Sequence, residues 1–423
     1  MTQQRIVDPV VGEEVVRAVT GTGLRVRVLP RPQLREVAAV ITFGYGSTDL
    51  AFASDDGAVV TTPAGTAHYL EHKLFEDEEL AVFQRFAARG ASVNAQTGFT
   101  RTTYHFHASG EWQQNLQDLL RLCARPHITP QNVQKERGII AQEVRMYEDS
   151  PAHGAAFLLL GALYAEHPVR HTVGGTVASI DAITAPLLLQ CWHAFYRTGN
   201  AALAVAGPVD VDAVLELAEG CALPAGAAPA RATPADFAGV HRERAERTMA
   251  VARPKVLLGL KERREAVGYR ARAERAAATG VVLDRLFAPS SDLREALHRR
   301  GAVDDSLGAS YTGERTFGVA MVGCDADDAV AAAAALRELL FADVAFDDEQ
   351  LERLRRRQFG HLVRIGESAR ALAHGHALEE LDGARPFEGL EVLRALTVAD
   401  VVRRRDELLR ADNLCIATTH RRA

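Results

Sequence analysis

The chain has 423 residues, more than one ordinary domain, so two domains of roughly 200 residues are expected. Apolar residues make up 47% and charged residues 25%, as in a globular protein with a large core, and the formal net charge of -6 runs against the basic surplus of a nucleic-acid binder. Its five cysteines stand singly with no C-x-x-C pair, which excludes a thiolate zinc knuckle and a disulfide framework and fits a reducing cytoplasm.

The opening stretch "MTQQRIVDPVVGEEVVRAVTG" has no apolar core of the kind a secretory signal needs, so none is expected. No segment approaches the roughly 18 continuous apolar residues of a membrane span. The first chemically loaded stretch is "TAHYLEHKLFE", Thr66 to Glu76, which reads as a core-facing helix. Residues three and four apart share a helix face, so His68 and His72 can aim two imidazoles at one point with Glu71 beside them. A bland reading is a partly buried polar cluster. The sharper one is a metal site with a base, because imidazole pairs suit zinc and a catalytic zinc needs three protein ligands and an open position. The order H-x-x-E-H reverses the commoner H-E-x-x-H of zinc peptidases.

Further along, "SVNAQTGFTRTTYHFHA" alternates as antiparallel strands with one buried face do. His105 and His107 share a face of it and, with no carboxylate or thiolate close in sequence, read as structural. "TPQNVQKERGIIAQEVRMYED" reads as an amphipathic helix with Thr129 as N-cap and Pro130 at the first helical position. Glu143 on this helix is the strongest candidate for the third ligand, and Glu136 lies two turns earlier on the same face. A carboxylate against an apolar stripe is costly unless it binds a cation or is hydrogen-bonded. Two in register point to one ligand and one residue that orients a ligating histidine. "AEHPVRHTVGG", Ala165 to Gly175, reads as a loop.

The Pro/Ala/Gly-rich stretch from Ala222 to Gly239 reads as a linker, giving domains 1–221 and 240–423 around a linker 222–239. The two sides resemble one another at a near-constant offset. "LEHKLFE" recurs in outline as "LDRLFAP", and "ITAPLLLQCWHAFYRTGNAALAVAG" as "LTVADVVRRRDELLRADNLCIATTH". Each half mixes strands with long helices, so the expected class is α+β: two homologous domains, each an antiparallel sheet packed with helices. No nucleotide-binding glycine signature is present. The basic run "LERLRRRQFGHLVR" reads as one solvated helix face. His68, Glu71 and His72 align with Gly280, Leu283 and Asp284, so the second half is expected to lack a zinc site.

The order H-Y-L-E-H followed by K-E-R-G-I-I-A-Q-E resembles the insulinase/pitrilysin-type zinc metallopeptidases. The duplicated halves are similar to that family's two-domain bacterial branch and to subunits of mitochondrial processing peptidase. The resemblance implies a zinc metallopeptidase (a metalloendopeptidase) of two similar α+β domains, hydrolysing peptides or unfolded polypeptide segments inside a chamber. It implies one Zn2+ per chain on His68, His72 and Glu143, Glu71 as general base, and Glu136 as the carboxylate behind a ligand. Asn94 and Ala95 would belong to the edge strand on which substrate adds by main-chain hydrogen bonds. The family's Arg/Tyr pair that clamps substrate from the second half is replaced by His298 and Asp304, leaving Arg299 or Tyr311 as substitutes. A partner is implied as well, either an identical chain in a homodimer or a related motif-less subunit in a heterodimer.

Two other functions compete. A non-proteolytic, metal-binding assembly subunit is motivated by the missing Arg/Tyr pair. A lyase of the kind that cleaves S-ribosylhomocysteine also uses H-x-x-E-H, but with a cysteine as third ligand in a much shorter chain, and the duplicated length and Glu143 weigh against it.

Overall fold

A computed structural model of the chain describes residues 2–8, 12–77, 82–232 and 235–422. Of the expected linker 222–239, residues 233 and 234 lie outside the described residues. The chain forms two compact units, each assembled from three segments: Met1–Gln142, Thr172–Thr233 and Phe359–Glu388 in the first, and Glu143–His171, Pro234–Gln358 and Gly389–Ala423 in the second.

The first unit is built on a seven-stranded sheet. In spatial order its strands are Thr2–Val7, Glu14–Val19, Arg25–Pro30, Ala201–Gly207, Val37–Phe43, Thr102–Ala108 and Ser92–Thr97. The inner strand Val37–Phe43 is buried along its whole length, and its sequence is accordingly apolar almost throughout where a half-exposed strand would alternate. Ala38 and Val40, with Ala204 and Ala206 next door, make a face of small side chains. Helix Ala369–Leu381 packs on that face through Leu372, Ala373 and Ala377.

A charge network fixes this helix to the strand Arg25–Pro30. Arg27, fully buried, donates from Nε to Glu380 at 2.7 Å, from Nη1 to Glu379 at 2.9 Å and from Nη2 to the Ala384 carbonyl at 2.6 Å. Arg17 adds a second guanidinium on Glu380 at 2.8 Å. A buried carboxylate met by two guanidinium groups has its lone pairs satisfied, the condition under which buried charge is tolerated.

The second unit carries a five-stranded sheet in the order Arg244–Met249, Leu414–Arg421, Lys255–Lys261, Gly318–Asp325 and Gly308–Gly313. That order repeats the last five positions of the first sheet, strand for strand and with the same directions, so the duplication read in the sequence is present in the backbone. Both sheets depart from the expected all-antiparallel pattern at one pair. Arg25–Pro30 runs parallel to Ala201–Gly207, and Arg244–Met249 runs parallel to Leu414–Arg421. In each half the last strand returns after a run of helices, and a long crossover permits the parallel pairing that a tight hairpin forbids.

Helix Pro151–Leu163 packs on this second sheet. Its sequence, PAHGAAFLLLGAL, is apolar almost all round, as a helix buried on several sides requires. Gly259 on the sheet is where it comes closest: a Cβ there would stand 2.9 Å from side-chain carbons of Leu159 and Leu163. The packing units therefore differ from the contiguous boundaries expected around 222–239. Residues 143–171 pack with the second unit and 359–388 with the first. Sequence similarity marks which segments were duplicated together, whereas these two segments pack where their apolar faces are covered.

Candidate active site

The motif helix spans Thr66–Leu74. It begins at Gly65, whose φ of 94° lies in the left-handed region and whose missing Cβ would stand 2.5 Å from the Gly174 carbonyl oxygen. Only glycine meets both conditions at once. Tyr69, Leu70 and Leu74 anchor the helix in the core, and the pitch then carries His68 and Glu71 into buried positions at 9% and 8% exposure.

The second helix, Pro130–Asp149, lies against it. Tyr69 donates its hydroxyl to the Val133 carbonyl at 2.5 Å, and His72 Nδ1 meets Glu136 Oε1 at 3.0 Å. Glu143 follows Gln142 within this same continuous helix, so its backbone position is set by the helix that Val133 and Glu136 fix.

His68, His72 and Glu143 each bring one ligand atom into a group whose members all lie within 4.8 Å of one another. Among the described residues this is the group of three or more potential ligands that converges in this way. The rings of His68 and His72 stand 4.7 Å apart and nearly perpendicular, at 71°. Two imidazoles and a carboxylate are a donor set zinc accepts. The hydrogen bond to Glu136 makes Nδ1 the protonated nitrogen of His72 and leaves Nε2 as its acceptor, the arrangement a ligating histidine needs. Glu136 is held below the usual carboxylate range, chiefly by that hydrogen bond from His72, with the nearby Lys73 ammonium adding to it.

Glu71 stands apart from the ligand group, and its Oε2 accepts a 2.5 Å hydrogen bond from Thr97 Oγ1. Thr97 ends the strand Ser92–Thr97, the outermost of its sheet. Asn94, exposed on the same strand, accepts the Ala95 amide on its Oδ1 at 2.8 Å. Thr97 was missed in the sequence, because the motif's spacing says nothing about which strand reaches Glu71. Lys73 carried a legible signal, a lysine between Leu70 and Leu74 on an apolar stripe.

Several other residues have different placements. Tyr311, in the second unit, donates its hydroxyl to Glu262 Oε1 at 3.0 Å and lies under the Arg404 guanidinium. Burial pushes its phenol well above the ordinary range. Asp304 pairs with Arg253 at 2.6 Å and accepts the Ser306 amide at 2.9 Å, so it serves a turn. Bonds from Ser306 and then Arg253 hold its carboxyl down at about 2. His298 is half exposed, 3.7 Å from Asp305. His107 comes within 3.9 Å of Glu36, a carboxylate that its neighbours in sequence did not reveal. Asp284, aligned with His72, is ion-paired with Arg357.

The family model for insulinase (peptidase family M16) matches residues 57–177, and the model for the peptidase M16 inactive domain matches residues 182–358. The chain is 33% identical over 404 residues to the uncharacterized zinc protease YmfH of Bacillus subtilis, covering 93% of this chain and 94% of that protein. The crystal structure of an M16-like peptidase from Alicyclobacillus acidocaldarius superposes with a TM-score of 0.92 at 34% identity, over 99% of this chain and 100% of that one. At 13% identity, a chain of complex III2 from Candida albicans shares the fold alone, with a TM-score of 0.74 over 95% of each chain. By its sequence matches along nearly its whole length and by its duplicated fold, the chain belongs to the insulinase family of peptidases, family M16.

Proposed function

We propose that this chain is a zinc-dependent metallopeptidase that hydrolyses peptides or unfolded polypeptide segments. One zinc ion would be held by His68, His72 and Glu143, with Glu71 as general base. The observation that carries this reading is the convergence of three ligand atoms beside a buried carboxylate that is not one of them.

Bound there, zinc would supply a Lewis acid that acidifies water and polarises a peptide carbonyl. The protein's own residues supply the rest. Glu71, held in place by Thr97, takes the proton of the attacking water on its carboxylate and returns it to the departing amine. Glu136 keeps His72 in the tautomer a ligand requires. The outer strand Ser92–Thr97 offers backbone groups to which an extended peptide can add as a further strand. Asn94, whose carboxamide holds the Ala95 amide, would exchange that bond for one to the substrate. Tyr311 already gives its hydroxyl to Glu262, and we assign the substrate contacts to Asn94 and Ala95.

A purely assembling, metal-binding role is less well supported, since a structural zinc has no use for Glu71. A second related chain, identical or motif-less, is proposed as partner on the strength of the family resemblance. The cytoplasm is proposed as the setting because all five cysteines are free and buried. No helix among the described residues is long and apolar enough to cross a membrane.

The test is Glu71→Gln. Metal analysis should still find zinc, while hydrolysis of a mixed peptide library should fall by about 10²–10⁴-fold, the usual contribution of a positioned base. Turnover at the wild-type rate would remove Glu71 from this role.

A further inference from the structure

One charged group at the metal centre is left over by this mechanism. Lys73, next to His72, is fully buried. Its ammonium donates to the Asn132 carbonyl at 3.1 Å, pairs with Glu76 at 2.7 Å and stands 3.9 Å from Glu136 Oε2. Taking an ammonium out of water costs several kcal/mol, and a methionine of similar volume would fill the same space without that cost. A surface salt bridge to Glu76 would not require the burial either, since such a pair gains little.

The position of the charge gives the reason. Glu136 uses Oε1 for His72 and presents Oε2 to Lys73. Lys73 is in turn fixed by the Asn132 carbonyl, on the same helix as Glu136 and one turn before it. The motif helix and the carboxylate helix are therefore joined through Lys73 as well as through Tyr69 and His72.

Resting on the zinc reading above, we propose that Lys73 is a positioning residue of the metal centre: its buried ammonium holds Glu136, and Glu136 holds His72. Without it, Glu136 Oε2 loses the ammonium that stands beside it. Glu136 then has reason to turn away from His72.

Zinc affinity and the visible spectrum of the cobalt-substituted protein, neither of which depends on turnover, provide the test. Lys73→Met should weaken zinc binding by about 10–100-fold, the range seen when a partner behind a ligand is lost. It should also alter the cobalt spectrum while the metal-free protein remains folded. Lys73→Met combined with Glu76→Gln removes both members of the ion pair and so separates the two explanations. If Lys73 merely balances Glu76, the double variant binds zinc as wild type does, and the proposal is overturned. If Lys73 acts through Glu136, the double variant stays weak and Glu76→Gln alone binds nearly normally. Wild-type affinity in Lys73→Met would also overturn it. Failure of the unmodified protein to bind zinc would instead count against the zinc reading itself.

Discussion

The motif helix Thr66–Leu74 and its duplicate, the last turns of helix Gly268–Phe287, solve the same packing problem with different chemistry. Both belong to a unit whose sheet shares five strand positions, in order and direction, with the other. In the first, Leu70 and Leu74 are buried and His68, Glu71 and His72 stand beside them. In the second, Leu283 and Leu286 are buried, Gly280 replaces the first histidine, and Asp284 is tied to Arg357. The framework therefore folds without the two imidazoles and the carboxylate, and these are better explained by the ion they can hold than by the stability they add.

That comparison is most directly broken at a ligand. His68→Gln keeps side-chain volume but removes one donor of three. Zinc binding and hydrolysis should both collapse, hydrolysis by about a thousandfold or more if the ion supplies several kcal/mol to the barrier. Unfolding in metal-free buffer should stay within about 1 kcal/mol of wild type, since little native packing is altered. A metal-free variant that no longer folds would show that the first unit, unlike the second, depends on its histidines for structure.

The next effect sharpens the comparison at the level of charge. Both units bury a carboxylate between two guanidinium groups: Glu380 with Arg27 and Arg17 in the first, and Glu262 with Arg404 and Arg275 in the second, where Tyr311 also donates to it. Glu380→Ala takes from the fully buried Arg27 the one fully buried carboxylate that meets it, leaving the half-exposed Glu379, and should cost about 3–5 kcal/mol in urea unfolding. Glu262→Ala should cost a similar amount through Arg404. A loss under about 1 kcal/mol in the first unit would mean that helix Ala369–Leu381 is held by its alanine-rich apolar face alone.

The division between what the sequence shows and what it conceals follows the range of the forces involved. The spacing of His68 and His72 is a local helix property, and two carboxylates seven residues apart on one stripe are legible for the same reason. Class and duplication follow from apolar periodicity, which repeats along the chain. The exchange of helices does not, because Pro151–Leu163 and Ala369–Leu381 each look like a core helix and nothing in either names the sheet it will cover. The parallel pairs are hidden likewise, since they depend on where a distant strand returns. Thr97 on Glu71 and Arg253 on Asp304 are contacts between separate elements, and alternation or spacing cannot reveal such a partner.

The smallest effect at neutral pH is the acid response, which the two units share. Burial is the first cause that lowers several imidazoles: His105 to about 4, His376 to about 3 and His374 in the first unit, and His167 to about 4, His153 and His171 in the second. His105 is lowered further by His374, Arg370 and His107, and His376 by Arg27 and Arg31. In the unfolded chain each titrates near 6.5. Between that value and the lower folded one, the unfolded state binds more protons than the folded state, so unfolding takes up protons and stability falls as the pH drops below about 6.5. The loss levels off only below the folded values. At pH 7 each is neutral in the folded state and only about a quarter protonated in the unfolded chain, so the slope there is small. With such groups in both units, both should weaken under mild acid. Urea unfolding at pH 7 and pH 5 should show His105→Gln and His376→Gln each losing less stability than wild type across that interval. Equal losses in wild type and both variants would mean that these histidines are reached by water in the folded protein, and that the acid response comes from the carboxylates.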